Sequence, residues 1–200
     1  MNFEEEHIYH VYNRSLFNRI LFPKDENYFY FLKKVRLHLM PHCKIMAYCL
    51  MPNHFHIMLY TTNIRIKISN KDKEIRNRSI NYSIGILLRS YTNALQNQEV
   101  FKGSLFQQHT KAICLTKTTE ISPAYINTIS GTKLIRGLPE EQYPQFCFDY
   151  IHNNPVKANL VKRNIDWRFS SAQDYAGLRS GNLISGITAK RFGLKFDPGL

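Results

Sequence analysis

The stretch "CKIMAYCLMPNHFHIMLYTT", residues 43 to 62, decides the fold. Two runs rich in β-formers, 43–51 and 54–62, are separated only by Pro52 and Asn53, a spacing that predicts an antiparallel hairpin. Residues two apart on a strand share a face, so His54 and His56 project together while Phe55 and Ile57 point the other way. Two imidazoles side by side can hold a metal, and two histidines of a core strand can equally be buried and hydrogen-bonded with no ligand at all. The rest of the chain has to distinguish these.

Outward from the hairpin, "HIYHVYNR" alternates and reads as a first strand over residues 7 to 13, with Arg14 at its exit. In "FPKDENYFYFLKKVRLHLM" the positions Tyr28, Leu32, Val35 and Leu39 recur at helical spacing, Asp25 and Glu26 suit the first turn, and Pro41 stops the helix. Residues 64 to 79 are basic with a few isoleucines and read as an exposed, mobile connector. Ile80, Ile84, Leu87, Leu88, Tyr91 and Leu95 mark a second helix, and "SLFQQHTKAICL" reads as a further strand. Residues 116 to 139 lack a period and read as a loop or insertion. A third helix covers about 140 to 153, ended or kinked by Pro155, and the tail past Ala176 reads as a peripheral appendage. The order predicts one α+β domain over 1–177 with an appendage over 178–200. Its core would be an antiparallel sheet flanked by helices, a ferredoxin-like or RNA-recognition-like (RRM-like) frame.

The 200 residues carry a formal charge of +12 with 27 Lys and Arg, which makes a polyanion such as nucleic acid the leading partner class. Twelve Tyr and 13 Phe add capacity to stack on unpaired bases. No apolar run approaches the length of a membrane span and the N-terminus is acidic, so an intracellular protein with no membrane partner is expected. Cys43, Cys49, Cys114 and Cys147 show no CxxC pairing, which argues for reduced, buried thiols; a zinc site of Cys49 with His54 and His56 matches no known spacing.

"FDYIHNNPVKANLV" places Tyr150 and Asn154 four residues apart, on one helical face. If that face looks at the histidine strand, two imidazoles and an amide oxygen surround a divalent metal with a phenol beside it. Those are parts of a phosphoryl-transfer centre in which a tyrosine attacks phosphorus. Taken alone, Tyr150 reads as a core-edge tyrosine.

These residues also carry a resemblance. "MAYCLMPNHFHIMLY" resembles the segment bearing the HUH motif (His, hydrophobic residue, His) in the REP-associated tyrosine transposases, a group related to the transposases of IS200-like single-stranded insertion sequences. "DYIHNNPVKANLV" with "DWRFSSAQDYAG" is similar to that group's C-terminal signature, and "YHVYNR", "FPKDENYFYFL" and "GSLFQQHTKAI" are similar to its other blocks, in order over residues 7 to 177. The resemblance implies an HUH nuclease fold. It implies a bacterial, cytoplasmic enzyme that nicks and rejoins single-stranded or hairpin DNA using Mg²⁺ or Mn²⁺, as a monomer or homodimer. His54 and His56 would be metal ligands, with Asn154 standing where relatives often use Gln as a third ligand. Tyr150 would be the nucleophile that becomes linked to a 5′ phosphate, and Arg14 and Arg19 would touch DNA, although a surface role also accounts for each arginine. His109 and His152 are candidates for the edge of the site, but each reads better as a histidine that supports the site from behind or is merely structural. A domesticated, non-cleaving binder or regulator of structured DNA is the alternative reading, and a metal-dependent RNA-processing protein is a third. The 116–139 stretch and the basic connector are longer than the family pattern.

Overall fold

In the computed structural model, residues 1–69, 75–99, 101–117, 125–128, 131–134 and 139–199 are described. The chain runs β1 (Ile8–Arg14), α1 (Asp25–Leu39), β2 (Cys43–Met51), β3 (His54–Thr61), β4 (Arg65–Ser69), β5 (Ile75–Ser79), α2 (Ile80–Glu99), β6 (Lys111–Cys114), β7 (Tyr125–Thr128), β8 (Gly131–Leu134), α3 (Tyr143–Lys157), α4 (Ala172–Tyr175) and α5 (Gly186–Arg191). Four strands form the central sheet in the order β2-β3-β1-β6, every neighbouring pair antiparallel. The expected α+β class, an antiparallel sheet with helices on its faces, is therefore the observed one.

Alternation along the strands builds a core on each face. Tyr9, Val11, Phe55, Ile57 and Leu59 pack with Phe31, Val35 and Leu39 of α1 and with Ile84, Leu87 and Tyr91 of α2. Ile8, Met58 and Tyr60 instead pack with Cys147, Phe148, Tyr150 and Ile151 of α3. A register shift between Ile45 and Ala47 marks an irregularity in β2, where Met46 and Ala47 both join the second cluster. The buried stripe of α1 contains Phe31, which meets Tyr91 at 5.1 Å between ring centroids, whereas Leu32, read from periodicity, is only partly buried.

Several segments differ from the sequence reading. The stretch expected to be a mobile connector pairs β4 with β5 as an antiparallel hairpin, Ile66 opposite Arg78 and Ile68 opposite Arg76; residues 70–74 lie outside the described residues. Of the expected insertion at 116–139, residues 118–124, 129–130 and 135–138 also lie outside them, while β7 and β8 pair antiparallel. Helix α3 does not end before Pro155 but runs to Lys157. A proline so close to a helix end removes the one bond to the Ile151 carbonyl, and the closing turn is kept by Ala158 N–H donating to Asn154 O and Leu160 N–H to Pro155 O. Past Ala176 the chain stays on the sheet: Ser185 N–H donates to Ile45 O, and Ala189 and Leu194 are buried in the α3-side core. Among the described residues no helix is long and apolar enough to cross a membrane, and all four cysteines are free thiols.

Candidate metal and nucleophile site

The site lies on the α3 face of the sheet, at the end where β3 begins. Pro52 and Asn53 fill the two-residue turn between Met51 and His54, so β3 opens on His54. The turn is held from outside: Ser15 N–H donates to Asn53 O (2.8 Å) and Leu21 N–H to Pro52 O (2.6 Å). Asn53 Nδ2 donates to Asn18 Oδ1, which leaves its own Oδ1, 2.6 Å from His54 Nδ1, as an acceptor. With the His54 proton on Nδ1, donated to Asn53, Nε2 offers a lone pair 3.4 Å from Asn154 Oδ1.

His56 lies deeper. Its Nδ1 is 2.9 Å from Nε2 of His10, whose ring stacks on it at 5.1 Å between centroids, while its Nε2 is buried with no hydrogen-bond partner. With the proton on Nδ1 and donated to His10, Nε2 also offers a lone pair. Each imidazole thus spends one nitrogen on a protein partner and leaves the other open, the usual condition of a ligating histidine. Burial, opposed only in part by Asn154, pushes His54 down to about 4, and burial with the neighbouring His54, His10 and Arg14 pushes His56 well below the ordinary value. Both rings are neutral at pH 7, as a ligand must be.

α3 supplies the rest. Because the helix persists, Tyr150 and Asn154 share a face, and the Tyr150 ring meets His56 edge-on at 5.3 Å. Burial raises the Tyr150 phenol to about 12, with the Asn154 side chain opposing the rise. Lys157 Nζ stands 5.4 Å from the centre of the same ring. A divalent cation suits the chemistry of this donor set: His54 Nε2 lies 3.4 Å from Asn154 Oδ1, the His54 and His56 rings are 5.0 Å apart between centroids, and His56 Nε2 has no hydrogen-bond partner. Among the described residues no group of three or more His, Cys, Asp or Glu is placed to hold a metal, so the set depends on an amide and needs water or a phosphate to complete it.

The other sequence candidates separate clearly. Arg14 is cross-strand neighbour to His54, and its charge helps lower both site histidines. Arg19 is exposed in the loop that braces the turn, its guanidinium 5.3 Å over Phe101. Cys49 pairs with His56 across β2 and β3, but burial pushes its thiol strongly up and its Sγ–H points to Met51, so it is no thiolate ligand. His152 turns away, its Nε2 2.8 Å from Ser171 Oγ, among Phe148, Tyr175 and Phe196. His109 is exposed along a groove between α2 and the 104–110 segment. His10 was not singled out by the sequence, although alternation in β1 places it on the face of Tyr12 and Arg14.

No protein-family model and no curated protein matches this chain. Among solved structures it is similar to a REP-associated tyrosine transposase bound to a REP hairpin, with a TM-score of 0.51 and 16% identity over 92% of this chain and 92% of that one. At that identity the likeness shows a common fold, spanning nearly all of both chains, in which the sheet and its helices are arranged alike.

Proposed function

We propose that this protein is a metal-dependent DNA strand transferase that cuts and rejoins single-stranded DNA, at hairpin sequences, through a covalent link to Tyr150. The observation that carries the reading is the buried, unpartnered Nε2 of His56 lying against the ring of Tyr150. His54, His56 and Asn154 would hold Mg²⁺ or Mn²⁺, with Mn²⁺ the better match to nitrogen donors. When bound, such an ion polarises the scissile phosphate and offsets charge on its oxygens. Asn53 and His10 hold the two rings in the required tautomers. Tyr150 Oη attacks phosphorus, forming a Tyr–O–P bond to the 5′ phosphate and breaking the bond to the 3′ oxygen, which leaves as a hydroxyl once protonated. The phenol proton is lost to solvent, helped by the positive charge of Lys157. Rejoining reverses these steps, so no nucleotide energy source is needed.

A solved structure with this fold is a transposase bound to a REP hairpin, which supports DNA of that kind as the partner here. A second reading, a binder or regulator of structured DNA that does not cut, draws on the burial of Tyr150, whose side chain is 5% exposed. One experiment separates them. Single-stranded hairpins labelled at the 3′ end are incubated with protein and Mn²⁺, and adducts that survive denaturation are mapped by peptide. Label on Tyr150, absent from a folded Tyr150→Phe variant, is expected; binding with no adduct supports the binder, and label on another tyrosine overturns the assignment.

A further inference from the structure

The loop between β1 and α1 presents an apolar tip beside the histidine turn. Phe17 is 89% exposed and Ile20 60% exposed, in a protein whose other phenylalanines are largely used in its two cores. Phe17 and Asn18 both adopt left-handed backbone conformations, φ 54° and 56°, which a bulky aromatic rarely does. The conformation is imposed from both ends. Leu16 N–H donates to Leu105 O (2.9 Å), Ser15 and Leu21 bond the 52–53 turn, and Leu21 is fully buried. The same turn sets Asn53 between the loop and His54, its Nδ2 donating to Asn18 Oδ1 and its Oδ1 lying 2.6 Å from His54 Nδ1, so two side-chain bonds join the loop to the candidate metal site. Arg14 and Arg19 lie on either side of Phe17 along the chain, Arg19 with its guanidinium over Phe101.

We infer that this loop is a stacking platform for one unpaired base of the DNA strand entering the site, with Phe17 as the ring it lies on. The inference rests on the DNA-processing reading above. An exposed aromatic on a braced loop with an arginine on either side along the chain suits a nucleotide: the ring takes the base face, and the loop's cations are available to its phosphates. A protein partner would call for a broader apolar patch than one ring and one isoleucine. Strain kept at an exposed position gains nothing for the core, so it is consistent with a residue placed for contact.

The test is a thermodynamic cycle on the full chain in EDTA, where no cutting intervenes. Wild type and Phe17→Ala are titrated with a fluorescent single-stranded hairpin whose unpaired nucleotides are replaced one at a time by abasic sites. Wild type should lose about tenfold in affinity at one position near the cleavage point. Phe17→Ala should lose the same with the intact strand and nothing further at that abasic position, while Phe17→Trp restores the wild-type pattern. Truncating so exposed a side chain leaves the fold intact. Equal affinity of wild type and Phe17→Ala overturns the inference alone, as does a loss explained by a dimer falling to monomer in light scattering. Failure of wild type to bind single-stranded DNA overturns the reading of function together with it.

Discussion

In the proposed reaction Tyr150 starts as a poor nucleophile, because burial holds its phenol at about 12 and a neutral phenol attacks phosphorus weakly. Positive charge close to the ring would shift that balance, and Lys157 Nζ stands 5.4 Å from its centre. Lys157→Met should therefore raise the phenol further while keeping the aliphatic cover of the ring. Adduct formation at pH 7 should slow by up to about tenfold. The rising limb of the rate against pH should move to higher pH, so the variant recovers part of the loss near pH 9. Rates measured from pH 6.5 to 9 check this; a uniform loss with an unmoved profile would mean that Lys157 acts only by gripping DNA.

The β2–β3 hairpin converts a spacing in the sequence into a chemical state, because its two-residue turn puts Asn53 against His54 and fixes which nitrogen carries the proton. Asn53→Ala should weaken Mn²⁺ binding by about tenfold, the range seen when a ligand's orienting partner is lost, while costing about 1 kcal/mol of stability. Mn²⁺ titration by calorimetry beside urea unfolding checks both halves. Much of this element was legible: alternation placed His54 and His56 together, and the i, i+4 spacing placed Asn154 under Tyr150. What was not legible depends on pairing between distant segments. His10 becomes relevant only because β1 lies beside β3, a register that no local pattern encodes. The isoleucines of 64–79 looked isolated until β4 and β5 were seen to pair, and Pro155 looked like a terminator because the bonds that close α3 beyond it come from residues 158 and 160. Phe31 and Leu32 both suit the inner stripe of α1, and the packing of Tyr91 from α2 selects Phe31.

Across the whole molecule the charge of +12 should make DNA affinity fall steeply and log-linearly with salt, and His56→Ala should show nearly the same slope as wild type, since in the proposed reading most phosphate contacts come from Lys and Arg and the ion touches only the scissile one. Filter binding between 50 and 300 mM salt checks this, and a flattened slope in His56→Ala would place that ring in phosphate binding. A second global property comes from the buried histidines. Burial pushes His10 and His152 down to about 3 and His54 to about 4, and lowers His42 and His56 as well. In the unfolded chain these rings take up protons near pH 6.5, whereas the folded protein holds them neutral. Between the folded and unfolded values the unfolded state binds more protons, so stability is complete above about pH 6.5 and declines as pH falls toward 3 to 4. At pH 5 one fully buried histidine accounts for up to about 2 kcal/mol of lost stability. Urea midpoints at pH 7.5, 6 and 5 should therefore drop progressively. His10→Asn, less stable at pH 7.5 through the lost bond to His56, should drop less steeply, having one fewer proton to exclude; a midpoint unchanged from pH 7.5 to 5 would mean that these rings accept protons in the folded state and that the site is open to water.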